Sequence, residues 1–375
     1  MSVEIREIPL GGNLTQFLDL VDYIYRDDPH YVRPLDLDIK QRLSRKNLFF
    51  KHAEGVIFTA HRNGWCVGRC TAQIDRDHLA RYNDDVGFFG FFDTVDDPEV
   101  SRALLDAAGD WLRQRGMKRI RGPLSLSTNE EVGCLVEGFE SPPMILMPHH
   151  RPYQGGLIEQ AGLTKCKDAY SWGYTAGEVP PRARKAYEQI RDMPEVRTRH
   201  ADKRTLEADI RVIMDVYNDA WSENWGFVPL SEDEISQMAR DLKLIAETRL
   251  SFITEIDGYP AAVALALPNV NEAIGDLRGK LFPLGIAKVL WRLKVERPRT
   301  ARVIILGIRK KFRTVKKYAA LSTYLYTQLN DSGRALGYER GELGWTLEDN
   351  TPVNLAIRFM GGKIVKRFRI YEKGL

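Results

Sequence analysis

The sequence predicts an α/β fold, in detail an α+β mixed sheet, built from two similar domains. Strand-like and helix-like hydrophobic patterns alternate along the chain, and their order in the first half returns in the second. Each half also contains a two-residue hairpin signal between apolar runs, at Asn63–Gly64 and at Asp257–Gly258. With 375 residues, of which 43% are hydrophobic, the chain is long enough to form two cores.

The elements of the first half follow from the spacing of apolar residues. Runs of β-branched and aromatic residues bounded by turn residues indicate strands, and apolar residues three or four positions apart indicate helices. In order, these patterns predict strand Val3–Ile8, helix Leu14–Tyr25, the hairpin 55–74, strand 86–92, helix Glu99–Arg115, strand Arg119–Leu126, helix Pro152–Ala161 and strand Lys165–Tyr174.

The second half repeats this order. The predicted elements are strand Val196–His200, helices Leu206–Trp221 and Asp233–Leu244, the hairpin 250–267, strand Ala301–Ile308, helix Tyr318–Leu336, strand Arg340–Leu347, helix Pro352–Met360 and strand Ile364–Glu372. Prolines punctuate the stretch between the halves, which is typical of a linker with one short helix. The predicted domains are therefore 1–176, with an irregular insertion at 122–153, and 196–375, joined by a linker at 177–195.

The composition excludes several classes of protein. No apolar run approaches the roughly 20 residues that a membrane-spanning helix needs, and the N-terminus lacks the apolar region of a secretory signal. The four cysteines follow neither a disulfide framework nor zinc-ligand spacing, so we expect reduced, structural thiols and no bound metal. We expect a cytoplasmic protein.

One segment concentrates positive charge before a predicted helix. Six cations lie within nine residues: Arg309, Lys310, Lys311, Arg313, Lys316 and Lys317. Cations at this position repel the positive end of the helix dipole, which indicates that the segment binds an anion. A solvated surface or a nucleic-acid contact is the alternative, but the flanks lack interleaved aromatic residues and the net charge of +4 is small.

The C-terminal sequence ELGWTLEDNTPVNLAIRFMGGKIVKRFRIYEK, residues 342–373, resembles the closing motif of the GNAT acyltransferases. The residues at the positions of that motif are Asn350, Pro352, Asn354, Gly361, Gly362, Tyr371 and Lys373. Three further stretches, 87–97, 122–153 and 218–234, together resemble the bacterial ceramide synthases, which are GNAT-like enzymes. The resemblance covers nearly the whole chain and implies a tandem GNAT-like fold.

This resemblance implies an N-acyltransferase that moves a long-chain acyl group from acyl-CoA to the amine of a long-chain (sphingoid) base, forming a ceramide-type amide. Acyl-CoA would be a co-substrate, with no permanently bound cofactor. The CoA pyrophosphate is expected at the basic segment, although the glycines of the usual phosphate loop are missing there. The resemblance also implies donor-binding roles for Asn350 and Asn354, and an oxyanion site on the backbone of Leu306, Gly307 and Ile308.

The equivalent place in the first half carries acids in place of cations: Asp93, Asp96, Asp97 and Glu99. Like charges at short range would repel a phosphate group. We therefore expect the C-terminal domain to bind CoA and the N-terminal domain not to bind it.

The candidates for proton transfer come from both halves. Ile357 occupies the position at which many relatives carry a tyrosine acid, so Tyr371 is the substitute, with a packed aromatic ring as the alternative. Glu342 is a candidate base on the strand expected beside the donor, or else an edge carboxylate. The insertion supplies Glu130, Glu131, His149 and His150, of which the histidines titrate near neutral pH or else cap a turn.

Residues 281–294, LFPLGIAKVLWRLK, predict an amphipathic helix at 100° per residue. Its apolar stripe contains Phe282, Ile286, Val289, Leu290 and Leu293, and the cations Lys288 and Arg292 lie opposite. The surrounding segment 278–317 holds 14 cations and one acid. We expect this helix to line the acyl or long-chain-base site and to touch anionic lipid reversibly, on the inner face of the cytoplasmic membrane; a core helix is the alternative.

Two other functions are compatible with the sequence. An N-acyl amino acid synthase that takes its acyl group from an acyl-carrier protein would dock that acidic carrier on the basic surface. A non-catalytic tandem GNAT that binds acyl-CoA would need neither the missing tyrosine nor the usual phosphate loop.

Overall fold

The computed structural model describes residues 2–375, whose elements are numbered in chain order. The strands are β1 (Glu4–Pro9), β2 (Ala53–Arg62), β3 (Trp65–Asp75), β4 (Val86–Thr94), β5 (Arg119–Gly122), β6 (Leu124–Ser125), β7 (Glu131–Val132), β8 (Cys134–Glu137), β9 (Thr164–Thr175), β10 (Val196–His200), β11 (Ser251–Ile256), β12 (Tyr259–Pro268), β13 (Thr300–Ile308), β14 (Arg340–Leu347) and β15 (Lys363–Gly374).

The helices are α1 (Thr15–Ile24), α2 (Asp36–Arg42), α3 (Arg76–Tyr82), α4 (Pro98–Arg113), α5 (Gln154–Gln160), α6 (Pro181–Arg191), α7 (Leu206–Trp221), α8 (Glu232–Ile245), α9 (Asn271–Ile274), α10 (Gly285–Trp291), α11 (Lys310–Arg313), α12 (Leu321–Ala335) and α13 (Thr351–Phe359). A π-helical turn, Arg292–Glu296, follows α10, and a 3₁₀ turn, Lys316–Tyr318, precedes α12.

The elements predicted from the sequence are confirmed except for the helix 281–294, of which only α10 and the π-helical turn after it are helical. Both hairpins turn at the predicted dipeptides, whose residues Asn63, Gly64, Asp257 and Gly258 all have positive φ. The predicted strand 119–126 is divided at Pro123 into β5 and β6. The sequence did not indicate α2 and α3, because a helix of seven residues is too short for a helical period to be evident.

The chain forms two compact units that do not follow its linear order. The first unit contains the residues up to Ala169 together with 274–288 and 366–375, and the second contains 170–273 and 289–365. These limits differ from the predicted domains, 1–176 and 196–375. The difference arises because the last strand and the segment before β13 pack with the first half of the chain.

In the first unit, β1 to β4 form an antiparallel run, and β4 then pairs with β5 in parallel. The strand after β5 is β15, with Tyr371 opposite Gly122. β15 is fixed by the buried carboxylate of Asp168, which accepts from Arg369 Nε at 2.9 Å. The main core lies between this sheet and α4.

The second unit has the same plan. Its strands β10 to β13 form an antiparallel run, and β13 then pairs with β14 in parallel, with β9 next. Leu306 and Ile308 pack with the residues of α12, whereas a Cβ at Gly307 would lie 3.2 Å from Ala220 of α7. Since alternate residues of a strand point to opposite faces, α12 and α7 cover opposite faces of this sheet.

Two general properties follow from the described residues. No helix in residues 2–375 combines the length and the apolar character that a membrane span requires. Each of the four cysteines is a free thiol, and burial raises the pKa of Cys70 and Cys134, which keeps these two protonated.

Candidate functional site

A cleft of about 460 Å³ opens in the second unit where β13 and β14 separate, and we call it the β13–β14 cleft. Its other sides come from α12, α13 and the end of α7. Leu306 and Ile308 line one wall, Trp345 and Leu347 line the facing wall, and most of the remaining lining is apolar. A long apolar cleft with a few polar groups suits an extended ligand.

Two departures from regular strand pairing create the cleft. The parallel ladder between β13 and β14 ends with Val303 opposite Leu343. On the other side of β13, the register with β12 shifts between Leu265 and Ala266, which leaves Ile304 as the extra residue of a β-bulge. A bulge redirects the local backbone, and this one lies in the wall of the cleft.

β14 is held away from β13 by other partners. Thr346 Oγ1 accepts from the indole of Trp172 at 2.8 Å and donates to Asn354 Oδ1 at 2.7 Å. Gly344 has a φ of +132°, and a Cβ there would lie 2.7 Å from the carbonyl oxygen of Tyr170, so only glycine fits. Asn354, a predicted donor-binding residue, is buried and supports this wall.

The N-terminus of α12 meets the outer end of the cleft. Tyr318 and Ser322 line that end, and Ala320 at the cap position gives no side-chain hydrogen bond to the first turn. The first N–H groups of this 15-residue helix therefore carry a partial positive charge without a side-chain cap. Asn350, another predicted donor residue, lines the same cleft. The arrangement suits a phosphate group.

Three of the six predicted cations are engaged in ion pairs inside the second unit. Arg309 is buried, pairs with Asp215 and donates from Nε to a backbone carbonyl at 2.8 Å. Lys310 and Lys317 pair with glutamates. These three side chains hold the loop in place, which the charge pattern of the sequence could not indicate.

The other three cations have no carboxylate within ion-pair distance in residues 2–375. Lys311 lies 3.3 Å from the ring centre of Tyr259. Arg313 lines the cleft and donates to two backbone carbonyls, one of them at 2.7 Å, and Lys316 is exposed. These three charges are the ones that remain to attract an anionic ligand.

Tyr326 lines the cleft and was not indicated by the sequence, where it resembles any other core aromatic on a helix. Its hydroxyl makes no hydrogen bond to another part of residues 2–375, whereas that of Tyr324 donates to Thr198 Oγ1 at 2.9 Å. Burial raises the pKa of Tyr326, so the phenol keeps its proton at neutral pH. Tyr326 therefore presents a protonated hydroxyl to the cleft.

Glu342, a predicted base, is not among the residues that line the cleft. It is buried, and its carboxylate accepts from Ser171 Oγ at 2.6 Å. Its neighbour Leu343 lines the cleft, and successive residues of a strand point to opposite faces.

The two positions considered for a tyrosine acid lie in different units. Ile357 lines the cleft in the second unit. Tyr371 is only 1% exposed in the core of the first unit, where a Cβ on Gly155 would lie 2.9 Å from its hydroxyl oxygen. Burial raises the pKa of Tyr371.

The two predicted histidines are buried in the first unit. His150 Nδ1 accepts from the backbone N–H of Leu135 at 3.0 Å, and burial lowers the pKa of His150 to about 4. His149 Nε2 lies 2.9 Å from the carboxylate of Asp28, and burial lowers its pKa as well. Both imidazoles are therefore mainly neutral at pH 7, and His149 Nδ1 has no hydrogen-bond partner in the described chain.

Glu130 and Glu131, the other predicted residues of the insertion, both face Arg42 in the first unit. Arg42 Nε donates to Glu130 at 2.8 Å, and its Nη1 lies 3.4 Å from Glu131. Burial raises the pKa of Glu130 although the guanidinium opposes that shift. The shared arginine gives both carboxylates a structural partner.

The space in the first unit that corresponds to the cleft is filled by the chain itself. β4 and β5 also pair over only a few residues, but β6 then crosses the opening, and a Cβ on Gly90 would lie 2.0 Å from the oxygen of Leu124. The acids predicted to repel phosphate have structural partners: Asp93 pairs with Arg69, and Asp97 caps α4. The binding of CoA only in the C-terminal half stays a prediction.

One group of side chains in the first unit could hold a metal ion. His52 Nδ1 lies 3.0 Å from Asp75 Oδ1 and 3.6 Å from Asp77 Oδ2. The carboxylate of Asp75 already caps the first turn of α3. That cap accounts for the position of Asp75 without an ion.

The sequence matches two curated proteins over nearly its whole length. One is a bacterial ceramide synthase from Caulobacter vibrioides, with 40% identity over 368 residues that cover 97% of this chain and 95% of that protein. The other is Protein YghO from Escherichia coli, with 38% identity over 364 residues that cover 96% and 93%. No protein-family model matches the chain.

Two solved structures of low sequence identity share the fold of this chain. A tandem GNAT protein from the clavulanic acid biosynthesis pathway has a TM-score of 0.59 at 12% identity, with 99% of this chain and 98% of that chain covered. A GCN5-related N-acetyltransferase from Sphaerobacter thermophilus has a TM-score of 0.55 at 12% identity, with 99% and 95% covered. These matches show the fold.

Proposed function

The chain belongs to the bacterial ceramide synthase family and is an N-acyltransferase with a tandem GNAT fold, and we propose that it joins a long-chain acyl group from acyl-CoA to the amine of a long-chain (sphingoid) base. The observation that carries the proposal is the β13–β14 cleft, which ends at the N-terminus of α12 beside three cations without carboxylate partners. Acyl-CoA matches these features, because it has an anionic nucleotide at one end and a narrow, extended pantetheine chain that ends in the thioester.

In the proposed complex, the pyrophosphate of CoA lies at the first turn of α12, where Arg313 and Lys316 add positive charge. The pantetheine arm then runs inwards between the separated ends of β13 and β14, which offer unpaired backbone groups as in a sheet edge. This pose brings the thioester to the bulge at Ile304. The backbone of the predicted residues Leu306 to Ile308 follows directly along the same strand.

Acyl transfer proceeds by attack of the neutral amine nitrogen on the thioester carbonyl, which forms a C–N bond, and the C–S bond then breaks and releases the thiolate of CoA. The nitrogen loses one proton as the amide forms, and this loss balances the proton that the thiolate takes up. The developing oxyanion needs N–H donors, which we assign to β13 around the bulge. The departing thiolate needs a proton, which Tyr326 can supply from within the cleft. The base that deprotonates the ammonium stays a prediction among Glu342, His149, His150, Glu130 and Glu131.

The direct test of the function is a product analysis. Purified protein is incubated with a panel of acyl-CoAs and long-chain bases, and the lipids are identified by mass spectrometry. We expect amides of the long-chain base. Products formed only from acyl-carrier protein and amino acids would favour the N-acyl amino acid synthase, and tight acyl-CoA binding without any product would favour a non-catalytic binding protein.

Arg313 and Lys316, two of the three cations without carboxylate partners, should contribute positive charge to the binding of the CoA donor. Replacement of both Arg313 and Lys316 by Ala should raise the apparent KM for acyl-CoA at least tenfold, or about 1.4 kcal/mol, with little change in the KM of the base. Replacement of both Arg113 and Lys118 by Ala, an equal loss of charge at exposed sites in the first unit, is the control. An unchanged donor KM in the double variant would contradict the assignment.

Arg309 should behave differently from those cations because it is buried and paired. Its removal leaves the backbone carbonyl of Pro260 without this donor and removes a buried side chain that packs on Tyr259, so Arg309→Ala should lower the melting temperature together with the activity.

Tyr326→Phe should lower kcat by a factor of roughly 10² if the phenol protonates the thiolate, with the donor KM unchanged because the ring remains. Tyr324→Phe is the matched control on the same helix, since the Tyr324 hydroxyl bonds to Thr198. Equal turnover by the two variants in steady-state assays would remove Tyr326 from the reaction.

The proposed lipid substrates also require contact with a membrane, and residues 282–295 have the necessary character. Many of its apolar side chains are exposed, with Phe282 and Leu284 exposed by 73% and 76% and Trp291 by 57%, whereas Val289 and Leu293 are half-buried. This exposure favours a surface segment over the core helix that was the alternative. Exposed apolar side chains among cations are typical of a helix that lies in an anionic lipid surface.

Vesicle co-sedimentation tests the membrane contact. Binding should increase with the fraction of anionic lipid, decrease with salt, and fall at least fivefold when Leu284 and Trp291 are both replaced by Ser. Trp65→Ser is the control, because Trp65 is 78% exposed at the tip of a hairpin in the first unit. If the wild-type protein does not sediment with any vesicle, the membrane contact is excluded.

A further inference from the structure

A second cavity, of about 70 Å³, lies next to the β13–β14 cleft in the second unit. Its lining is mainly apolar and includes Leu250, Ala266, Leu329 and Met360. Asn330 is the amide in the wall, and its groups are satisfied by Gly177 and Tyr174. We call this space the inner cavity. Its chemistry suits a hydrocarbon, because most of the wall is apolar and the groups of Asn330 are paired; Arg340 and three tyrosines are the other polar residues of the wall.

The inner cavity continues the cleft. Four residues, Val303, Tyr326, Leu343 and Ile357, line both spaces. Val303 and Leu343 are also the last pair of the β13–β14 ladder. The two cavities therefore meet at the point where the strands begin to separate.

The course of α12 gives the direction of a bound donor. Ser322 and Tyr326 line the cleft, and Tyr326, Leu329 and Gly333 line the inner cavity, so the lining passes along one face of the helix from its N-terminus inwards. A donor with its phosphates at the first turn of α12 has its thioester near Tyr326. The part of the molecule beyond the thioester is the acyl chain.

We propose that the inner cavity receives the alkyl carbons next to the thioester of the donor's acyl chain and thereby favours donors with an alkyl chain over acetyl-CoA; this inference rests on the proposed function. The guest is an alkyl chain, because most of the wall is apolar. Each methylene transferred from water adds favourable free energy of burial.

Gly333 offers a way to block the cavity without disturbing the helix. A Cβ at Gly333 would meet only the Cβ of Tyr338, at 3.9 Å, so a larger side chain extends into the cavity. Gly333→Leu should lower kcat/KM for palmitoyl-CoA at least tenfold while acetyl-CoA, which has only a methyl group beyond the carbonyl, loses less than threefold. Gly156→Leu is the matched control, because Gly156 lies in α5 with nothing within 4 Å of its added Cβ. An unchanged chain-length profile in folded Gly333→Leu overturns the inference.

Photolabelling of the wild-type protein gives a second test that needs no variant and no turnover. Palmitoyl-CoA with a diazirine near the carboxyl end of the chain should label peptides that contain Leu329 or Met360, and free palmitoyl-CoA should suppress this labelling. Label confined to other peptides overturns the inference. The proposed function fails separately, if the wild-type protein forms no amide with any donor, and labelling of Leu329 or Met360 would support the inference even then.

Discussion

The architecture of the second unit depends on the early end of the hydrogen-bond ladder between β13 and β14. β13 and β14 are hydrogen-bonded only as far as Val303 and Leu343, and each strand then continues without the other. Strands that separate inside a sheet lose ladder hydrogen bonds, so other contacts must hold them apart. For β14 these contacts include the side-chain hydrogen bonds from Trp172 through Thr346 to Asn354, and β13 turns at its bulge. The cleft, its continuation as the inner cavity and the exposed start of α12 all follow from that separation.

The first unit shows what happens to the same plan when the opening is closed. Its parallel pair, β4 and β5, also ends after a few residues. The chain then folds back as β6, so that Leu124 lies against Gly90 and its carbonyl accepts from Gln73 Nε2 at 2.7 Å. A carboxylate, Asp97, caps the following helix, where the second unit has Ala320. Two copies of one architecture have thus diverged, and the difference lies in the loop after the parallel pair.

The sequence could predict the elements and the location of the site because these depend on local signals. Hairpin dipeptides, hydrophobic periods and a cluster of six cations are visible in short windows. The roles of single residues depend on partners that are distant in the chain. Arg309 has a structural role because it pairs with Asp215, and His150 acts as a hydrogen-bond acceptor because the backbone N–H of Leu135 lies beside it. The bulge at Ile304 has no local signal, and Tyr326 differs from Tyr324 only in what its hydroxyl meets.

The place of the last ten residues has a consequence for the synthesis of the protein. The first unit needs residues 366–375, since Tyr371 pairs with Gly122 and Phe368 is fully buried. A ribosome supplies that strand only after it has made all the preceding residues. During translation, the sheet of the N-terminal half therefore has an unpaired edge until residues 366–375 are made. An unpaired edge favours aggregation and proteolysis. Loss of a few C-terminal residues would harm the half of the chain that was made first.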